Sequence, residues 1–511
     1  MYHFKFQYFL FVFILVSNYI WSQKYIGPAG VGSGDQNRYW FDANAIPSGS
    51  NMQFWDNKGG RKDTNLRQND ANLRPTLNAS GGPNSQAQVE FSGTYPNGPD
   101  AQYFGFGSNP NQVPDINNNG PWNERTYIIT FSTGTDVTSA QMLFEEGGLQ
   151  NGLHLYIRNG ELFFGGFNKS NNGIASPWGG TPIRLSTALS VNTSYILTIV
   201  YNHDGNDNFN GTFTGFLNNS QFQQETGVGI IYNHANSTQL GANGNNLIVG
   251  ETNTHLLPFN GAVQEFMLFN KALNNSERIL INNYLSAKYN ISLSANDEYV
   301  YDYAMNGNFD FGVIGAKRIN ATDNSLNINY GNGFIKFDNV SPLSDGDFIY
   351  AGSNLKDQTA VTPVCQAGDE VLLSNSIWRF QTSGGTFTGD LILDTSLFGS
   401  SLILDVSDFK IIFDDAPDFI SPTASQVATS INGSEVTFSN ISINDGDFFR
   451  FRYNVRDANA PAGLLLNDEL KFQFEANAIN QEDGTDVLVW NNQGSNTESG
   501  LNSGITPLPA D

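Results

Sequence analysis

The densest run of oxygen-bearing side chains is His203-Asp204-Gly205-Asn206-Asp207-Asn208-Phe209-Asn210-Gly211. Calcium is a hard cation that takes about six to eight oxygens, so such a loop can hold it. Asp204 and Asp207 would supply charge, and Asn206 and Asn208 would supply carbonyls. The spacing is not that of an EF-hand. The other reading of the same residues is a hairpin tip rich in Asx turns. Two tryptophans, Trp122 and Trp178, sit in Pro- and Gly-flanked contexts. A loop tryptophan can offer its ring to a sugar, or plug one end of a β-sandwich core. Trp40, Trp55, Trp378 and Trp490 lie on apolar, strand-like patterns and are expected in cores.

Catalytic constellations are missing from the pattern. Retaining glycoside hydrolysis needs two carboxyl groups about 5 to 5.5 Å apart. A Glu-x-Asp-x-Glu strand points all its carboxylates to one face, and the sequence has none. Glu145 and Glu146 are adjacent and would point to opposite faces of a strand; a turn is expected there. The five histidines, His3, His154, His203, His234 and His255, show no zinc spacing. No Gly-x-Ser-x-Gly elbow or phosphate-cradling loop is present. A non-catalytic protein is expected, with a polysaccharide hydrolase as the disfavoured alternative.

Composition points to strands. Among 511 residues are 52 Gly and 39 Phe, and 14% of residues are charged. Aromatic and β-branched residues broken by Asn, Gly, Asp and Ser describe short strands and tight turns. The net charge of −24 repels phosphate backbones, so nucleic acid is a poor partner. Cys365 is the single cysteine, so no intramolecular disulfide supports the fold. It reads as a small buried apolar residue or as a reactive thiol.

Met1 to Lys5 carries a basic residue, and Phe6 to Val16 is apolar apart from Gln7. That run is too short for the roughly 20 residues a membrane span needs. Residues 1–22 therefore read as a signal peptide cut after Ser22, implying a secreted or cell-surface protein. No later stretch is apolar enough to span.

Two repeats mark the organisation. Tyr39 to Ile46 reads YWFDANAI, followed by FWDNKGG from Phe54; Phe472 to Ile479 reads FQFEANAI, followed by VWNNQGS from Val489. The same domain type is expected to start twice, the second time cut short at Asp511. Asp-Gly-Asp recurs at Asp345 and Asp445, as two similar turns or as a pair of calcium loops. One helix is expected from Asn275-Ser276-Glu277 to about Tyr289, with Asn275 or Ser276 as its N-cap. It closes a first domain of residues 23–290. A second β domain, residues 291–453, a linker, 454–462, and the restarting domain, 463–511, follow.

Several first-domain segments resemble, in order, the laminin-G-like (concanavalin A-like) jelly rolls of secreted modular bacterial surface proteins. They are GLHLYIRNGELFFG from Gly152, SYILTIVYNHDGNDNFNGTFTGFLNN from Ser194, NLIVGE from Asn246 and PFNGAVQEFMLFNKALNNSE from Pro258. Ala287 to Leu293 resembles the junction that follows such jelly rolls, and Asp347 to Asn354 and Ser376 to Gly385 resemble the domain of unknown function that comes after it. The resemblance implies an all-β chain, a jelly-roll sandwich followed by a second β-sandwich-like domain. It implies a binding or adhesion module for a polysaccharide, cell-surface glycan or surface protein. A structural spacer in a larger exported protein is the alternative.

Overall fold

The computed structural model describes residues 25–453 and 456–457, apart from 48–51, 62–63, 96–98, 107–119, 148–150, 169–182, 207–208, 232–237, 244–256, 327, 332–333, 342, 360, 367–368, 399–401 and 404. The restarting motif at 472–495 and Trp490 lie outside these residues.

Turn chemistry sets the strand pairs, as the sequence predicts. Asn159 and Gly160 both adopt positive φ, at 54° and 81°. That is the backbone a two-residue hairpin needs, and it joins Asn151–Arg158 to Glu161–Asn168. Asn218 and Asn219 do the same between Gly211–Leu217 and Ser220–Val228.

Four larger antiparallel sheets result. The first runs Ser220–Val228, Gly211–Leu217, Ser194–Asn202, Glu124–Thr133, Gly261–Phe269, Gln88–Phe91, Thr76–Asn78, with Asn37–Asp42 also paired to Gly261–Phe269. The second runs Ile183–Ala188, Glu161–Asn168, Asn151–Arg158, Gln141–Gly147, Thr238–Leu240, Phe104–Phe106, Leu66–Arg67, Phe54–Trp55. Their inner faces share one core that contains Phe41, Trp55, Tyr127, Phe144, Leu155 and Phe266. A nine-stranded and a four-stranded sheet enclose a second core around Trp378, Phe380, Phe438 and Phe449. The chain is all-β, with two sandwiches and one α-helix among the described residues. No helix among them is long and apolar enough to cross a membrane.

The helix Asn275–Tyr289 is capped by Asn274, one residue earlier than expected. Asn274 Oδ1 accepts from Glu277 N at 2.8 Å, and Glu277 Oε2 accepts from Asn274 N at 3.1 Å, a reciprocal capping box. Every residue from Ser276 to Tyr289 is buried. An amphipathic helix would leave one face wet; this one lies between the outer faces of two sheets. Its core joins Trp40, Ile196 and Met267 of the first sheet to Val313, Tyr350 and Phe448 of the nine-stranded sheet. Gly315 makes room for it: a Cβ there would stand 2.7 Å from Leu280 Cδ2. The layers therefore stack as sheet, sheet, helix, sheet, sheet.

Polar helix residues find partners on both sides. Asn282 Nδ2 reaches Thr198 Oγ1 at 3.3 Å, while Asn283 Oδ1 accepts from the backbone N of Glu298 and Tyr299 at 2.9 Å each. Lys288 Nζ lies 2.5 Å from Glu265 Oε1 and 3.0 Å from Asp42 Oδ1. Lys58 holds the other Asp42 oxygen at 3.0 Å. Glu265 also accepts from Trp40 Nε1, Tyr284 OH and Tyr289 OH at 2.7, 2.9 and 3.0 Å. Burial would raise the Asp42 carboxyl, but the Lys288 and Lys58 ammoniums outweigh it and hold it well below the usual range. Burial pushes Glu265 up, with Lys288 opposing.

Removing one partner of a buried ion set leaves the others uncompensated. Lys288→Met should therefore destabilise the protein by about 3–5 kcal/mol, read from urea denaturation. A second expectation concerns pH. Asp297, Asp302 and Asp310 each leave Oδ1 buried without a hydrogen bond in the segment joining the helix to the nine-stranded sheet. Burial, then Asp297 and Asp310, push the Asp302 carboxyl up to about 7. The folded state thus holds a proton that the unfolded chain releases near 3.8. This contribution to stability is fully present below about pH 4 and is lost as pH rises toward about 7. Thermal melts across that window should show Asp302→Asn with a shallower pH dependence than the wild type.

Candidate functional site

Side chains alternate across a strand, so directly paired residues share a face. On the second sheet, Phe144, Leu155, Phe164 and Leu240 point into the core. Their neighbours must point out. Following the register, Arg184 pairs with Gly165, Gly165 with His154, and His154 with Glu145. Glu145 then pairs with Gln239, Gln239 with Gly105, Gly105 with Arg67, and Arg67 with Phe54. One transverse row therefore crosses all eight strands on the outer face, a length of roughly 34 Å at about 4.8 Å per strand. It carries two guanidiniums, an imidazole, a carboxylate and an amide, with glycines between them. Beside it, Tyr156 and Phe163 stack at 5.0 Å.

The middle of the row is covered: Glu145 and His154 are 1% and 2% exposed. Its ends reach solvent. Arg67 and Arg184 are half-buried, and Phe54 is exposed. The Arg67 guanidinium lies 5.0 Å from the Phe54 ring centroid.

Glu145 and Glu146 stand in the strand Gln141–Gly147 and not in a turn. The strand tolerates both because each charge is placed separately. Glu146 points into the sandwich, where Arg125 Nη1 and Tyr127 OH, both from the facing sheet, bond its two oxygens, the tyrosine at 2.8 Å. Burial would lower the Arg125 guanidinium, but Glu146 and Tyr127 outweigh it and hold it above its ordinary range. Glu145 points outward, into the row.

Trp122 is 7% exposed and belongs to the core between the sheets. Its ring plugs the end of the sandwich, and the Arg125 guanidinium lies 3.7 Å from its centroid. The loop after His203 packs against the residue following Trp122: a Cβ on Gly205 would stand 2.8 Å from Asn123 Nδ2. The Asp204 oxygens accept from Asn206 N at 2.9 Å and Asn210 Nδ2 at 2.6 Å, the pattern of an Asx turn. Asp207, Asn208 and Trp178 lie outside the described residues. Among the described residues, no group of at least three His, Cys, Asp or Glu side chains is placed to share a metal ion. The Asp-Gly-Asp turns sit side by side: Asp445 Oδ1 accepts from Thr382 N at 3.1 Å, and Asp347 Oδ1 accepts from Ser383 Oγ at 3.0 Å.

Trp40, Trp55 and Trp378 are core residues, as expected. Phe54 and Arg67 escape sequence reading because each stands in a two-residue strand without a pattern.

No protein-family model matches this sequence, and no curated relative matches it. Among solved structures, the chain is similar to the CBM40 domain of the Ruminococcus gnavus IT-sialidase at 16% identity and a TM-score of 0.25, over 38% of this chain and 96% of that one. It is similar to the binding domain of botulinum neurotoxin DC in complex with SialylT at 9% identity and a TM-score of 0.35, over 82% and 95% of the two chains. The binding domain of botulinum neurotoxin serotype D gives 10% identity and a TM-score of 0.32, over 80% and 79%. Likenesses at these scores are too loose to assign a ligand.

Proposed function

We propose that the chain is a secreted or cell-surface binding module, non-catalytic, whose N-terminal sandwich is a laminin-G-like jelly roll recognising carbohydrate. The observation that supports this reading is the transverse row on the second sheet. A rigid sheet whose solvent-reaching ends carry the Arg184 and Arg67 guanidiniums and the Phe54 ring offers donors to hydroxyls and a ring to stack on. Hydrolysis fits the row poorly. Its strands carry Glu145 and Glu161 on the outer face, two strands and four residues apart, roughly 16 Å by strand spacing and rise. That exceeds the about 5 to 9.5 Å that paired glycosidase carboxylates use.

A glycan array probed with the full chain, once with calcium and once with chelator, tests the reading. Binding to a defined glycan is expected, weakened about tenfold by Arg184→Ala with the melting temperature unchanged. Calcium at Asp204, Asn206, Asp207 and Asn208 belongs to this proposal; chelator-sensitive binding lost in Asp204→Ala is its expected signature. Silence from folded protein in both conditions overturns the glycan reading. It would favour the spacer, which the helix-filled, five-layer stack also suits.

A further inference from the structure

We propose that the cleft beside Phe54 is a subsite for a single neutral sugar ring. This rests on the glycan-binding reading and goes further by naming the ring, its place and its contacts. The cleft has a volume of about 180 Å³ and is walled by Ile46, Pro47, Gln53, Phe54, Trp55 and Asp56. That is smaller than the roughly 300 Å³ at which drug-sized pockets begin, and suits one ring. It opens at the edge of the second sheet, where Phe54–Trp55 pairs, among the described residues, with Leu66–Arg67 alone, at the solvent-exposed end of the transverse row.

Two features of the wall select the guest. Phe54 is 43% exposed, an aromatic ring already polarised by the guanidinium of Arg67. Asp56 is exposed and makes no hydrogen bond among the described residues, so its carboxylate can accept from hydroxyls. Trp55 is fully buried and closes the cleft on its core side, which leaves Phe54 and Asp56 among the wall groups open to solvent. A sugar ring has one C–H face for Phe54 and hydroxyl edges that both donate and accept. The Asp56 carboxylate disfavours an acidic sugar at this position.

The repeated motif separates scaffold from recognition. Ala45, Ile46 and Trp55 recur as Ala478, Ile479 and Trp490, while Val489 and Asn491 stand where Phe54 and Asp56 do. In sequence, Ala45, Ile46 and Trp55 are repeated; Pro47, Gln53, the ring at Phe54 and the carboxylate at Asp56 are not.

Calorimetric titration of the full chain with a panel of neutral and acidic monosaccharides tests the subsite. A neutral sugar should bind, with affinity reduced about tenfold or more by Phe54→Ala and by Asp56→Asn, and retained in Phe54→Tyr. Circular dichroism and melting temperature report that each variant is folded. Glycan binding that survives both Phe54→Ala and Asp56→Asn but is lost in Arg184→Ala overturns the subsite and leaves the glycan reading standing. Preference for an acidic sugar overturns the neutral assignment. No binding of any monosaccharide overturns the subsite, while the array result separately decides the glycan reading.

Discussion

The ammonium of Lys288 is buried between the carboxylates of Asp42 and Glu265, and the architecture depends on that arrangement. Desolvating three charges is expensive unless geometry and hydrogen bonds compensate. Trp40, Tyr284, Tyr289 and Lys58 supply the remaining bonds. The network reaches from the opening strand to the closing strand of the first sheet and to the last turn of the helix. It therefore sets where the helix sits on that sheet. An apolar helix could slide against a flat sheet; one carrying a buried lysine has a single register in which its charge is neutralised.

The second sandwich then follows from the helix. Its nine-stranded sheet covers the face that the first sheet leaves bare, with Leu280 fitting over Gly315 and Asn283 holding the backbone at Glu298 and Tyr299. The first sheet is thus covered on both faces, by the core on one side and the helix on the other. The outer face of the second sheet is covered at its centre, where Met142, Tyr156 and Leu257 form a small core of their own, and it reaches solvent at its ends.

On that face, charge is kept apart. Glu146 turns inward to Arg125 and Tyr127, where the pair holds the two sheets together. Glu145 turns outward, next to His154 across the strand. One residue of register sends the two carboxylates to opposite faces of the sheet, where both are buried. The same alternation places Trp55 in the core and Phe54 in solvent, so one dipeptide both closes the sandwich and lines a cleft.

Local chemistry by itself determined the class of this protein. Asn-Gly and Asn-Asn turns, alternating apolar segments and a single capped helical run are short-range properties, and they act the same in any context. They made the all-β character, the hairpin at Asn159-Gly160 and the core placement of Trp40, Trp55 and Trp378 legible. Tertiary structure decided what the helix packs against, because a run buried on both sides has no amphipathic signature to read. It also decided that Trp122 plugs a core and that Glu145 and Glu146 stand in a strand. The transverse row was invisible for a related reason. Its residues are spread from position 54 to position 184 and on to 239, and only the order and register of eight strands, set by long-range pairing, bring them into one line.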